Sequence, residues 1–168
     1  MSTIELPEPL SPEVIGGPSD LPTVLTVDDE PSVLSALRRV FRTQGIRTLQ
    51  ASSAAEGLQL LKSHRVDLVI SDMRMPEMDG ARFLELGKLH DERIVRVLLT
   101  GYADMASTIA AINQGAIHRY IAKPWDDNEL VLVVREALAR RRLEQQNAEL
   151  TELTQRQNEQ LQHATQTL

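Results

Sequence analysis

The feature that most constrains this chain is a short apolar run, Leu68-Val69-Ile70, that ends in Ser71-Asp72 and a loop holding Pro76 and Gly80. Three consecutive apolar residues read as a strand buried on both faces, the habit of parallel sheets. Asp72 then stands at the carboxyl end of a central strand, where open α/β sheets place their ligand sites. A carboxylate there is costly without a cation or a phosphate to work with.

The rest of the chain supplies the sheet that such a strand needs. Residues 1–22 carry Pro7, Pro9, Pro12, Pro18 and Pro22, five of the eight prolines in the 168 residues, and are expected to form a disordered tail. Order is expected from the strand Thr23–Val27, which stops at Asp28-Asp29-Glu30. Pro31 opens a helix at the position where its missing N–H costs nothing, and Gly45 ends it. Val33, Leu34, Leu37, Val40 and Phe41 give that helix a buried stripe. Residues 47–51 form a second, more polar strand, suited to a sheet edge. Ser52 or Ser53 caps the next helix, with Glu56 as the capping-box partner of Ser53. After the third strand a short helix shows Phe83, Leu84 and Leu86. Residues 94–99 give a fourth strand ending at Thr100-Gly101. A helix over about 104–114 follows, with Asp104 as its N-cap and Gly115 as its stop. Residues 119–122 give a fifth strand, ending at Lys123-Pro124-Trp125, and Asp126 or Asp127 caps the last helix.

Strands alternating with helices predict a doubly wound, five-stranded parallel sheet with helices on both faces. The last helix does not stop: from Glu129 to about Thr165 there is no Gly or Pro. Residues 23–140 read as the domain and 141–168 as a coiled-coil extension or linker. One heptad register places Leu143, Leu150, Gln157 and Ala164 at one seam position, and Asn147, Thr154, Leu161 and Leu168 at the other. Leu153 lies outside it, which points to a stutter. A parallel homodimer is the expectation.

The net charge of −6 argues against a nucleic-acid surface on the chain as a whole. The absence of cysteine removes disulfides, thiolate metal sites and thiol nucleophiles. No apolar run is long enough to span a membrane, and a cytoplasmic protein is expected. His64, His90, His118 and His163 are scattered without ligand spacing, and no zinc set, Ser/His/Asp set or phosphate-binding glycine loop is present.

What does gather, at the strand carboxyl ends, is Asp28, Asp29, Asp72, Thr100 and Lys123. With the first and third strands adjacent, these converge in one crevice. Carboxylates at about 4 Å repel by several kcal/mol per pair at moderate dielectric, so positive charge is required. Lys123 offers one charge, and Mg²⁺, which takes carboxylates, waters and a phosphate oxygen, offers the rest. Such a set is equipped to accept a phosphoryl group on a carboxylate.

Val27-Asp28-Asp29-Glu30, the run from Ser71 to Gly80, Leu99-Thr100-Gly101 and Ala122-Lys123-Pro124 together resemble the receiver domain of two-component response regulators, over about residues 23–140. The resemblance implies the flavodoxin-like and CheY-like strand order 2-1-3-4-5. It implies Asp72 as phosphoacceptor, and Asp28, Asp29, Asp72 and the Arg74 backbone carbonyl as Mg²⁺ ligands. It also implies Thr100 as switch hydroxyl, Lys123 as phosphate partner, Tyr120 as switch aromatic and a cis Lys123–Pro124 bond. The implied partner is a histidine kinase or phosphotransfer protein, and the implied role is a switch rather than an enzyme. Gly101-Tyr102-Ala103-Asp104 and Lys123-Pro124-Trp125-Asp126-Asp127, with the Gln- and Asn-rich coil, are similar to receivers fused to HD-GYP cyclic-di-GMP phosphodiesterases. Two other readings compete: a dimerisation scaffold with vestigial receiver chemistry, and an aspartyl-phosphate phosphatase. The phosphatase would need a second acid two residues beyond its nucleophile, where this chain has Arg74.

Overall fold

The computed structural model describes residues 21–166, so residues 1–20 of the expected tail over 1–22 and the seam position Leu168 lie outside the described residues. Strands β1 (Thr23–Val27), β2 (Arg47–Ala51), β3 (Leu68–Asp72), β4 (Val95–Thr100) and β5 (Arg119–Ala122) alternate with helices. The helices are α1 (Pro31–Arg42), α2 (Ala54–Ser63), α3 (Gly80–His90), α4 (Met105–Asn113) and α5 (Asp127–Gln166). All neighbouring strands are parallel, in the expected order β2-β1-β3-β4-β5.

Side chains leave a strand alternately to its two faces, and here both faces are covered. On one side Leu25, Val27, Val69 and Leu98 pack with Leu61 of α2, Phe83 and Leu84 of α3 and Ala111 of α4. On the other, Val24, Leu68, Ile70, Val97, Leu99 and Ile121 pack with Leu37 and Phe41 of α1 and Leu130 and Val134 of α5. β1 and β3 lie side by side with Val27 opposite Ser71, so Asp28 and Asp72 leave the sheet together.

The structure corrects several local expectations. β4 begins and ends one residue later than the sequence suggests, with Thr100 inside it. Its Arg96 is only 3% exposed, because the guanidinium donates to the carbonyls of Ala116, Ile94, Glu92 and Gly115. Ser53 caps α2, but the Glu56 carboxylate reaches the N–H and hydroxyl of Ser52 instead of Ser53. Asp104 does not cap α4, since a 3-10 turn over Tyr102–Asp104 precedes that helix and the carboxylate is drawn to Arg74. Asp126, of the two candidates, caps α5 by accepting from the Asn128 N–H at 2.8 Å. Gly115 ends α4 in the left-handed region at φ +74°, while the Ala116 N–H closes back on Ala111 O.

α5 runs unbroken for 40 residues, a rod of about 60 Å. Its first part packs on the sheet. Beyond it Leu143, Leu150 and Leu153 are exposed on the single chain. Among the described residues no helix is long and apolar enough to cross a membrane.

Candidate functional site

Asp72 closes β3 and Asp28 follows β1, and with Asp29 their carboxylate oxygens come within 4.8 Å of one another. Asp28 is fully buried, Asp72 nearly so, and Asp29 is exposed. Lys123 reaches in from the end of β5, where the peptide bond to Pro124 is cis. Its Nζ donates to Asp72 Oδ1 at 2.8 Å and lies 3.6 Å from Asp28 Oδ2. Burial alone would lower the lysine pKa, but the hydrogen bond and charge of Asp72, with Asp28 and Glu30, outweigh it and raise it.

Asp28 is the group under electrostatic pressure. Desolvation pushes its pKa up to about 6, despite a hydrogen bond from the Glu30 N–H, with the charges of Asp72 and Asp29 adding to the rise and Lys123 opposing it. Its Oδ1 accepts from Glu30 N at 2.9 Å, whereas its buried Oδ2 accepts no hydrogen bond. One ammonium against three carboxylates leaves a surplus of negative charge. An orphaned buried oxygen, an all-oxygen donor set and that surplus fit a hard divalent cation.

The loop after Asp72 is shaped by close approach. Gly80 N donates to Met73 O at 2.8 Å, and a Cβ at Gly80 would collide with the Asp72 carbonyl oxygen. Within the loop Glu77 takes φ +71°, and Met78 N donates to Pro76 O, a three-residue turn of the strained hand. Asp79 caps α3 through the Arg82 N–H at 2.7 Å.

Of the residues singled out in the sequence, the structure gathers Asp28, Asp29, Asp72 and Lys123 directly. Thr100 ends β4, which pairs with β3, but makes no hydrogen bond to Asp72; its hydroxyl lies 3.2 Å from Gly101 O and 3.1 Å from Thr108 Oγ1. Tyr120, on edge strand β5, stands 40% exposed. The Arg74 side chain turns to Asp104, with Nε–Oδ2 at 2.9 Å and Nη2–Oδ1 at 3.2 Å. Nothing local in the sequence announces that pair or buried Thr108. Thirty residues separate the pair, and Thr108 reads as one polar residue in an alanine-rich helix.

The response regulator receiver domain family model matches residues 24–135. The chain belongs to that family. The receiver is similar to the hydrogenase transcriptional regulatory protein HoxA of Cupriavidus necator, at 40% identity over 69% of this chain and 24% of that protein. It is also similar to sporulation initiation phosphotransferase F of Bacillus subtilis, at 34% identity over 64% of this chain and 86% of that one. A solved signal receiver domain of an HD domain-containing protein from Pseudomonas fluorescens Pf-5 matches with a TM-score of 0.71 at 39% identity, covering 75% of this chain and 93% of that one. The receiver spans about a quarter of the length of the transcriptional regulators it matches first.

Proposed function

We propose that this receiver is a phosphorylation-dependent switch that takes a phosphoryl group on Asp72 from a histidine kinase or phosphotransfer protein. The observation that carries the reading is the Lys123 ammonium donating to Asp72 Oδ1 at 2.8 Å inside a cluster of three carboxylates. In the transfer, the phosphorus–nitrogen bond of the donor phosphohistidine breaks as a phosphorus–oxygen bond to an Asp72 carboxylate oxygen forms. The imidazole leaves with the electron pair. Asp28, Asp29, Asp72 and the Arg74 carbonyl would hold Mg²⁺, which supplies positive charge against the phosphoryl oxygens. Lys123 is the second cation and passes from the Asp72 carboxylate to a phosphoryl oxygen.

Thr100 then donates its hydroxyl to the aspartyl phosphate, and Tyr120 follows from its exposed position. The change passes through α4 and the sheet-packed part of α5 to the rest of that helix, beyond residue 140, which pairs in a homodimer through its leucine seam. Moving such a switch from mostly off to mostly on takes about 5.5 kcal/mol of differential stabilisation, within reach of several charge-assisted contacts. For the output we infer a domain of the HD-GYP class, a cyclic-di-GMP phosphodiesterase in the cytoplasm. The motif likeness around Gly101–Asp104 and the similarity to the receiver of an HD domain-containing protein from Pseudomonas fluorescens support that choice.

The test is labelling with a ³²P-labelled acyl phosphate in Mg²⁺, with light scattering for mass and Asp72→Asn as control. Acid-stable, base-labile label lost in Asp72→Asn, accompanied by a change in mass, is expected. Equal labelling of Asp72→Asn sinks the assignment of Asp72, and steady turnover of a phosphate ester would favour the phosphatase.

A further inference from the structure

Besides Lys123, which already holds Asp72, two side chains beside the site, Arg74 and Thr100, are both engaged elsewhere, by the same short segment. Arg74 lies two residues after Asp72, and its guanidinium is bound in bidentate fashion by Asp104. Arg74 is 73% exposed and Asp104 19%, so the pair sits at the rim, in an open groove shared with Asp29, Asp79 and Ser107. The hydrogen bond and charge of Asp104 dominate the electrostatics of Arg74, and the charge of Asp72 acts on it more weakly in the same sense.

Thr100 is engaged from inside. The Thr108 hydroxyl, fully buried, lies 2.9 Å from the Asp104 carbonyl oxygen and 3.1 Å from Thr100 Oγ1. A hydroxyl has one proton. If Thr108 gives its proton to Asp104 O, its oxygen is left as an acceptor for Thr100, whose other partner is Gly101 O at 3.2 Å. In either arrangement the Thr100 hydroxyl is engaged away from Asp72. Arg74, Asp104, Thr108 and Thr100 thus form a chain of contacts from the loop after β3, through the start of α4, to the end of β4.

We propose that Asp104 and Thr108 are positioning residues for the unphosphorylated state, Asp104 detaining Arg74 and Thr108 detaining Thr100 until a phosphoryl group on Asp72 draws both away. The proposal rests on Asp72 being the phosphoacceptor. An aspartyl phosphate brings a concentrated anion with several acceptor oxygens, and a guanidinium pairs with phosphate in the same bidentate way as with a carboxylate. Exchange of Arg74 from Asp104 to the phosphoryl group unpins the Tyr102–Asp104 turn. Withdrawal of Thr100 removes a partner from Thr108 one turn further along α4. The two releases act on one element, so they reinforce each other. Because the ion pair is exposed, it biases the equilibrium without locking it.

The experiment is titration of the whole chain with beryllofluoride in Mg²⁺, read by calorimetry and by Trp125 fluorescence. Asp104→Asn is expected to tighten binding roughly two- to five-fold, the range for a rim ion pair. Asp104→Glu should restore the wild-type value. In an Arg74→Gln background, Asp104→Asn should give no gain. Thr108→Val should also tighten binding, and Thr108→Ser should not; if Thr108→Val does not fold, the Asp104 series decides. A purely structural role would lower thermal stability while leaving affinity unchanged. A wild-type response that survives in Asp72→Asn, or no wild-type response at all, removes the phosphoacceptor reading and the proposal with it. A normal wild-type response, with Asp104→Asn equal to or weaker than wild type, overturns the proposal alone.

Discussion

Arg141 Nη1 donates to Asp67 Oδ1 at 2.6 Å, joining positions 74 residues apart. Arg141 Nε also donates to Arg93 O at 2.9 Å, and the second Asp67 oxygen accepts from Thr23 N at 2.8 Å. Both side chains are largely buried, at 11% and 13% exposure. Although Arg141 lies outside the residues matched by the family model, it fastens α5 to the amino end of β1 and to the approaches to β3 and β4.

Removing one partner of a buried, hydrogen-bonded pair strands the other charge. Arg141→Met is therefore expected to cost about 2–4 kcal/mol in urea unfolding. Arg140→Met, one residue away and exposed, should cost less than about 0.5 kcal/mol.

Asp28 makes stability depend on pH in an unusual direction for an aspartate. Desolvation first, then its acidic neighbours, hold its folded pKa at about 6 against an ordinary 3.8. The folded state thus binds the proton more tightly than the unfolded chain. This contribution to stability is full below pH 3.8 and is lost as pH rises through 6. Metal-free protein should lose about 2–3 kcal/mol from this group by neutral pH. Asp28→Asn should recover most of that at pH 7 while weakening the response to Mg²⁺. Denaturant melts across this range, with and without the substitution, isolate the effect.

Gly80 and Gly101 should behave oppositely when given a methyl group. At Gly80 the added carbon overlaps the Asp72 carbonyl oxygen and lies 3.0 Å from Leu98 Cδ1. At Gly101 nothing lies within 4 Å. Gly80→Ala is expected to cost about 2 kcal/mol or more and to displace the loop after Asp72. Gly101→Ala should stay within about 0.5 kcal/mol of wild type.

Leu143 and Leu150 are 62% and 61% exposed on α5. If they form the seam of a dimer, Leu143→Asn with Leu150→Asn should bring the mass by light scattering to that of a monomer. The stability of the receiver itself should then change by less than about 0.5 kcal/mol at equal protein concentration.

The sheet is readable because its inner strands, β1, β3 and β4, are buried and largely apolar on both faces and its helices carry helical-period stripes. Leu68-Val69-Ile70 and Leu37 with Phe41 land where that pattern puts them. The carboxylate cluster followed from the topology, since adjacency of β1 and β3 brings Asp28 and Asp72 together. Arg96 defeats the same logic. A charged residue inside an apolar run gives no sign that four backbone carbonyls wait for it: those of Glu92 and Ile94 come from the turn just before the strand, and those of Gly115 and Ala116 from the end of α4, about twenty residues away. Asp104 defeats it differently: its composition and position suit a helix cap, but a guanidinium from 30 residues away satisfies it first. Propensity ranks the local partners and is blind to distant ones.

With neither Gly nor Pro between Glu129 and Thr165, α5 is a rod without a joint. Its anchorage at Arg141 then acts as a fulcrum. A tilt of about 5° there, with about 25 residues beyond it at 1.5 Å each, sweeps the far end through roughly 3 Å. A side-chain displacement beside the sheet can thus become a movement as wide as an atomic contact at the tip. It is transmitted by stiffness alone, with no segment having to melt or refold on the way.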